Sequence, residues 1–358
     1  MPDFKIAYAP GDGIGPEVVG QARRVLDAVG KRYGHTFGGV DVEIGAASIK
    51  RCGVELTDQA LQACKGADSV LLGACGVEAG AAVNGRQPER AVLDLRREMG
   101  LWSNLRPVRV SPHLADATPL KASVVRDVDM LVVRELTGGI YFSLPKERRR
   151  VNGEWEALDT LRYSETEVRR VVRRAFELAG ERRRKVASVD KSNVLESSRF
   201  WREIAISVAA EHPEVQFESI LVDAFAIRLL LNPRAYDVVV TENMFGDILT
   251  DEAGALLGSL GMGPSGSLGD GAAGLYEPIH GAAPDIAGKG LANPIGTVLS
   301  AAMMLEMSFG LEDEARAVEE AVERALAAGY RTADIKEDGS LHVGTAGMGD
   351  AIIAGLTA

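Results

Sequence analysis

The chain has 358 residues, 46% of them hydrophobic, and a net charge of −11. That is an ordinary globular composition with length enough for two domains, and its acidity argues against nucleic acid as a partner, because phosphate binding wants a basic surface. Three cysteines without a C-x-x-C pair (Cys52, Cys64, Cys75), no basic n-region or apolar h-region at Met1-Pro-Asp-Phe-Lys, and no run of about 18 apolar residues together predict a soluble cytoplasmic protein with no membrane span, disulfide framework or zinc site.

Phe4–Ala9 reads as a strand, followed by a helix over Pro16–Tyr33. The turn between them, Ala9-Pro-Gly-Asp-Gly-Ile-Gly-Pro-Glu17, looks like a dinucleotide fingerprint. Its third glycine has the wrong offset, however, and no acidic residue closes a second strand about 20 residues on, so a Rossmann fold is excluded; Pro16 suits the first helical position. Ser69–Gly73 is the next strand. Glu89, Val92, Leu93 and Arg96 then fall at i, i+3, i+4 and i+7, one helical face carrying apolar groups and a cation. Arg106, in Asn104-Leu-Arg-Pro107, and Arg134, ending the β-run from Met130, are forks able to grip carboxylates; taken singly, each also reads as a surface or salt-bridging arginine.

The segment 139–163 has two strand-like ends around a polar middle containing Asn-Gly, which predicts a projecting hairpin of the kind that pairs with a dimer partner. The basic runs at 146–150 and 182–185 read as solvated surface. A helix over Glu165–Arg184 leads into the strand Lys185–Val189, after which Lys191 sits where a base could act if burial or charge lowered its pKa. The apolar run Asp237–Thr241 reads as a buried parallel strand. Beyond it, Asp247 and Asp251 lie four residues apart, on one helical face about 5–6 Å apart at Cβ. The pair suits a divalent cation, and it equally suits a solvated helix start with Asp247 as N-cap. The Gly/Pro-rich stretch Leu275–Pro294 is long enough to be functional, with His280 for stacking and Asp285 able to accept hydrogen bonds from a ribose diol; a helix begins near Pro294. The βαβα alternation predicts an α/β fold, a mostly parallel or mixed sheet flanked by helices.

As a set, Pro10-Gly-Asp-Gly-Ile-Gly-Pro-Glu17, Asn104–Pro107, Val133–Phe142, Ser188–Leu195, Asn243–Glu252 and the loop Glu277–Pro294 resemble the isocitrate/isopropylmalate β-decarboxylating dehydrogenase family nearly end to end. The resemblance implies a two-domain fold, residues 1–101 with 258–358 forming the NAD domain and 102–257 the dimerisation domain, with the site in a cleft between them. It implies NAD-dependent oxidative decarboxylation of (2R,3S)-3-isopropylmalate in leucine biosynthesis, by a homodimer with shared sites. By the same resemblance Arg96, Arg106 and Arg134 hold the malate carboxylates, and Asp223, Asp247 and Asp251 hold Mg²⁺ or Mn²⁺. Lys191 is the base and Tyr141 protonates the enolate, with Lys191, Asp223 and Val194 supplied by the partner. Glu89, Val92, Leu93 and Val194 surround the C3 substituent. NAD would contact Ile14, Glu277, His280, Gly281, Ala283, Asp285, Ile286 and Asn293.

The chain departs from the family at Gly76-Val-Glu-Ala-Gly-Ala-Ala-Val-Asn84, where Gly-Gly-Pro-Lys-Trp-Asp is usual, at Val92, where leucine is common, and at Gly266, where alanine is usual. Another 3-substituted malate therefore stays open as substrate. A silent regulatory subunit would have no need of the complete set of arginines, aspartates, lysine and tyrosine.

Overall fold

The computed structural model describes residues 3–78 and 81–357; residues 79 and 80, in the middle of the departing loop, lie outside the described residues, as do residues 1, 2 and 358. Its main strands are β1 (Asp3–Gly11), β2 (Thr36–Asp41), β3 (Ser69–Ala74), β4 (Ser103–Arg109), β5 (Asp129–Glu135), β6 (Lys146–Val151), β7 (Glu154–Asp159), β8 (Lys185–Asp190), β9 (Gln216–Leu221), β10 (Val238–Thr241), β11 (Pro264–Leu268) and β12 (Leu275–Pro278). Every residue of β3 and β10 is buried, as continuous apolar runs covered on both faces require.

Two compact units result. The first comprises Met1–Leu101, Val110–Arg126 and Gly254–Ala358. Its strands run in the order β2-β1-β3-β12-β11, parallel except for the β11–β12 pair. The helix Gly15–Tyr33 packs Val18, Ala22, Val25 and Val29 inward at helical spacing, opens with Pro16 in its first turn and stops at Gly34, whose left-handed φ of 80° ends the ladder. The segment Val110–Arg126 was expected with the middle of the chain. It groups instead with the two chain ends, because Ser111 Oγ donates to Glu323 at 2.8 Å and Arg331 Nη2 donates to the His113 carbonyl at 2.7 Å. Residues 254–257 also fall in this unit.

The second unit, Trp102–Arg109 and Asp127–Ala253, has strand order β4-β5-β10-β8-β9, with β4 antiparallel to β5 and the rest parallel. The fold is thus mixed α/β. The helix expected to reach Arg184 ends at Gly180. Beyond it Arg182 is no solvated surface group: it ties the start of β5 to that of β10, donating to Asp129 at 2.8 Å and to Asp237 at 2.9 Å. The hairpin forms, but its strands are the polar middle. β6 and β7 pair antiparallel across an Asn152-Gly153 turn with φ of 52° and 88°, a two-residue turn matched to strand twist. The expected strand at Gly139–Ser143 begins instead as a 3₁₀ turn over Gly139–Tyr141.

Candidate active site

Strand register sets the first constellation. The antiparallel pairing of β4 with β5 places Asn104 opposite Arg134, and the parallel pairing of β5 with β10 places Thr241 beside it. Arg134 and Thr241 are therefore neighbours near the C-terminal ends of their strands, and the helix Asn243–Gly254 starts two residues later. Asp247 is not the N-cap of this helix. It is the fifth residue, because the helix begins at Asn243 rather than at the acidic pair. Asp247 and Asp251 consequently share one helical face one turn apart.

That face meets the arginines. Arg134 Nη1 donates to Asp247 Oδ1, Arg106 Nη2 lies 3.6 Å from the same oxygen, and Arg106 Nη1 is 3.4 Å from Asp251 Oδ1. Arg134 crosses close over the helix at Gly246, where a Cβ would lie 2.6 Å from the arginine Cγ. Tyr141 donates its hydroxyl to Asp247 Oδ2 at 3.1 Å. Burial, reinforced by the Asp247 charge, pushes its phenol up to about 12, so the proton stays on oxygen at neutral pH. Partial burial also raises the Asp251 carboxyl above the usual aspartate range, with Arg106 opposing and Asp247 adding to the rise.

Lys191 follows β8 and pairs with Asp223 within the same chain, Nζ to Oδ1 at 2.6 Å; the hydrogen bond from Lys191 holds the Asp223 carboxyl below its usual range. Asp223 and Val194 are exposed. Among the described residues no cluster of three or more histidine, cysteine or acidic side chains forms a cation site within one chain. The hard oxygens of Asp247 and Asp251 nonetheless suit Mg²⁺ or Mn²⁺: they sit on one helical face, and 62% of the Asp251 side chain is exposed.

In the first unit, Glu89 precedes the helix Arg90–Glu98 and is exposed, while Arg96 is buried in its last turn. Arg96 Nη2 donates to Glu277 at 2.8 Å, and its Nε is buried without a hydrogen-bond partner. Val92 packs into the apolar cluster with Ile44, Leu72 and Leu95, leaving Leu93 the less buried of the two apolar residues expected around the C3 substituent.

The glycine-rich turn and the 280–293 loop come together in this same unit. The Ala282 carbonyl accepts from Ile14 N–H at 2.8 Å, and Gly13, with φ of 58°, passes so close that a Cβ would lie 1.9 Å from that carbonyl oxygen. Ile14, Val18 and Ala292 form an apolar floor with Ala283 and Ile286 against it. Gly281 and Asp285 are exposed on the loop. Asn293 is buried, accepting from Ile295 N–H at 3.0 Å and donating to Asp334 at 3.0 Å. His280 Nδ1 lies 2.9 Å from the Gly281 carbonyl, burial lowers the ring's pKa, and its Nε2 is buried with no hydrogen-bond partner. An orphaned ring nitrogen, an exposed carboxylate and an apolar floor in this one unit suit a dinucleotide.

Sequence reasoning missed several residues that hold this machinery. Glu17 accepts from the backbone N–H groups of Gly288 and Gly290, strapping the loop to the first helix. Asp12, buried, accepts from the N–H groups of Ala46, Ala47 and Gly76 at 2.9–3.1 Å. Asn104 Oδ1 accepts from Arg106 Nε, and Asn243 Oδ1 accepts from Arg134 Nε and Nη2. Spacing carried a signal for the last two. Asn104 is two residues before Arg106 on a strand, and Asn243 is four residues before Asp247 on a helix, so each shares a face with a residue already singled out.

Buried arginines on β4 and β5, an acidic pair on the helix after β10 and a protonated tyrosine, brought together in a mixed α/β scaffold, suit an enzyme that grips carboxylates. The family model for isocitrate/isopropylmalate dehydrogenase matches residues 5–352, and the chain belongs to that family. It is 51% identical over 356 residues to the 3-isopropylmalate dehydrogenase of Shouchella clausii, covering 98% of this chain and 97% of the relative. It is 54% identical over 332 residues to that of Anaeromyxobacter dehalogenans, covering 92% and 94%. Among solved structures, the isocitrate dehydrogenase of Methylococcus capsulatus matches 99% of this chain and 100% of its own at 32% identity and a TM-score of 0.88. A β-decarboxylating dehydrogenase from Thermococcus kodakarensis matches 99% and 96% at 35% identity and a TM-score of 0.79.

Proposed function

We propose that the chain oxidises and decarboxylates (2R,3S)-3-isopropylmalate to 4-methyl-2-oxopentanoate and CO₂ in leucine biosynthesis, using NAD and Mg²⁺ or Mn²⁺. The carrying observation is the convergence of Arg106, Arg134 and Tyr141 on Asp247 and Asp251, in a chain about half identical over nearly its whole length to proteins named for this reaction. When bound, NAD accepts the C2 hydride and the divalent ion acts as a Lewis acid toward the C2 oxygen. The chain's own groups do the rest. Arg96, Arg106 and Arg134 orient the carboxylates as planar forks. Lys191 takes the hydroxyl proton, directly or through water. Tyr141, with its proton held up to a pKa of about 12, delivers that proton to the carbon from which CO₂ has left. Asp285 accepts from the adenosine ribose, Ile14, Ala283 and Ile286 pack the dinucleotide, and Glu277, His280, Gly281 and Asn293 frame it.

The active form in this reading is a homodimer in the cytoplasm, with Lys191, Asp223 and Val194 donated by the partner. Ile206, Ile227 and Leu231 are large exposed apolar side chains on the second unit, and the β6–β7 ribbon is exposed along nearly its whole length; a covering subunit would remove both from water. No helix among the described residues is long and apolar enough to cross a membrane. The side chain at C3 is alkyl rather than carboxylate in this reading, because Arg86 and Arg90, the nearest spare cations in sequence, both lie against Glu55, at 2.5 and 3.9 Å. Purified protein incubated with NAD⁺, Mn²⁺ and a panel of 3-alkylmalates and isocitrate, followed for NADH and CO₂, tests the proposal. Isopropylmalate should give the highest kcat/KM; isocitrate as best substrate would overturn the alkyl assignment.

A further inference from the structure

The helix Asn243–Gly254, which carries Asp247 and Asp251, starts at a joint shared with the turn that carries Tyr141. The N–H groups of its first three residues have no carbonyl to reach within the helix, and side chains take all three. Glu242, buried just before the helix, accepts from Phe245 N–H at 2.8 Å and from Met244 N–H at 3.1 Å. Its own carbonyl takes the first intrahelical bond, from Gly246 N–H at 2.9 Å. The remaining N–H, on Asn243, donates at 3.0 Å to Tyr163 Oη, and that hydroxyl donates in turn to Glu242 Oε2 at 3.1 Å. Tyr163 comes from the segment after β7 and is buried. Its ring makes a T-shaped contact with Trp201 at 5.7 Å between centroids, and Trp201 Nε1 donates to Ser188 Oγ of β8 at 3.1 Å.

The same ring lies against the Tyr141 turn. A Cβ at Gly139 would stand 2.3 Å from Tyr163 Oη, and one at Gly138 would stand 2.6 Å from the ring's Cε1, so the backbone comes this close only because both residues are glycine. Gly139, with φ of 72°, also donates its N–H to the Arg162 carbonyl at 3.2 Å. Asn243 completes the joint, its Nδ2 donating to the Gly138 carbonyl at 3.2 Å. Three segments far apart in sequence thus hold one another at one end of the helix. One turn further on, Tyr141 and Asp247 meet at 3.1 Å. We infer that Tyr163 is a positioning residue whose hydroxyl, together with the Glu242 carboxylate, fixes the helix of Asp247 relative to the turn of Tyr141. Without the hydroxyl the Asn243 N–H loses its acceptor in a buried site, and the first turn of the helix has to shift or open to regain one. The inference rests on the reading of Tyr141 as proton donor and Asp247 as metal ligand, and it adds what keeps the two in register.

The test uses Tyr163→Phe, which keeps the ring against Gly138 and Gly139 and removes the hydroxyl alone. Glu242→Gln is a second variant, able to accept from the Phe245 N–H but not from both N–H groups at once. Mn²⁺ affinity by calorimetry without substrate, kcat, KM for NAD and the melting temperature are measured on each. Because small displacements of reacting groups and of metal ligands are costly, kcat in Tyr163→Phe should fall about tenfold or more and the Mn²⁺ Kd should rise about threefold or more. KM for NAD should stay within about twofold of wild type, since the residues read as holding the dinucleotide belong to the first unit. Glu242→Gln should move kcat and Kd in the same directions. A merely structural role lowers the melting temperature and leaves kcat and the Mn²⁺ Kd at their wild-type values, and that outcome in Tyr163→Phe would overturn the inference while leaving the parent reading intact. Tyr141→Phe with wild-type kcat, or Asp247→Asn with wild-type Mn²⁺ affinity, would overturn the parent reading and the inference with it. If Tyr163→Phe fails to fold, Glu242→Gln decides by the same two quantities.

Discussion

Replacing Asp247 by asparagine tests the centre of the constellation, because this one carboxylate meets Arg134, Arg106 and Tyr141 together. At an effective dielectric near 20, a unit charge pair at the 3.6 Å Arg106 separation has roughly 4–5 kcal/mol of gross attraction. Asp247 is 38% exposed on its side chain, so solvent screening and the regained hydration of the groups offset most of that, leaving a net stability loss of about 1–2 kcal/mol. This corresponds to a fall in melting temperature on the order of 2–8 °C, too small to unfold the protein at assay temperature. The catalytic loss should be much larger. A neutral amide is a poor ligand for a hard cation, and the Lewis-acid contribution is worth several kcal/mol, so turnover should drop by at least about two orders of magnitude. Calorimetric titration with Mn²⁺, a thermal melt and steady-state kinetics on the same preparation separate the effects. Wild-type Mn²⁺ affinity in the folded variant would remove Asp247 from the metal site and refute the reasoning.

Cofactor choice should favour NAD over NADP by about tenfold or more, because the exposed Asp285 would repel a 2′-phosphate carrying nearly two negative charges; comparable kcat/KM values would show that it does not face the ribose. Mn²⁺ binding should weaken on acidification sooner than an ordinary aspartate would require. The sign follows from Asp251, whose raised pKa means it takes up a proton at higher pH and then ceases to be a ligand; titrations across the acidic range should show the loss beginning at higher pH in wild type than in Asp251→Asn, where only the remaining aspartates titrate. Leu93→Ala should cost about 10-fold or more in kcat/KM for isopropylmalate, since a lost alkyl contact is worth roughly 1–3 kcal/mol, with little effect on the unsubstituted malate; equal loss on both would place Leu93 outside the C3 pocket.

Much of this protein was written into local patterns. The apolar run of β3 and the β-branched run of β10 bury as central strands, Pro16 and Gly34 bracket the first helix by φ, and Asp247 and Asp251 fall on one face by helical period. The motif set was also sufficient to place the chain in its family. What tertiary structure decided was which donors meet which acceptors. Asn243 meets Arg134 because the β5–β10 register sets the end of β10, and the helix that follows it, beside that arginine, a long-range choice that no window of the sequence contains. Arg182 becomes a clamp because β5 and β10 are neighbours in the sheet and bring Asp129 and Asp237 to it. Val92 and Leu93 look equivalent as adjacent apolar residues, but only packing against Ile44 and Leu72 draws Val92 into the core. Likewise Glu17 looks like a generic acidic first-turn residue until the chain returns some 270 residues later with the N–H groups of Gly288 and Gly290. Periodicity and turn chemistry act over a few residues and can be read in one dimension, whereas hydrogen-bond partnership depends on which distant segments the hydrophobic core brings into register.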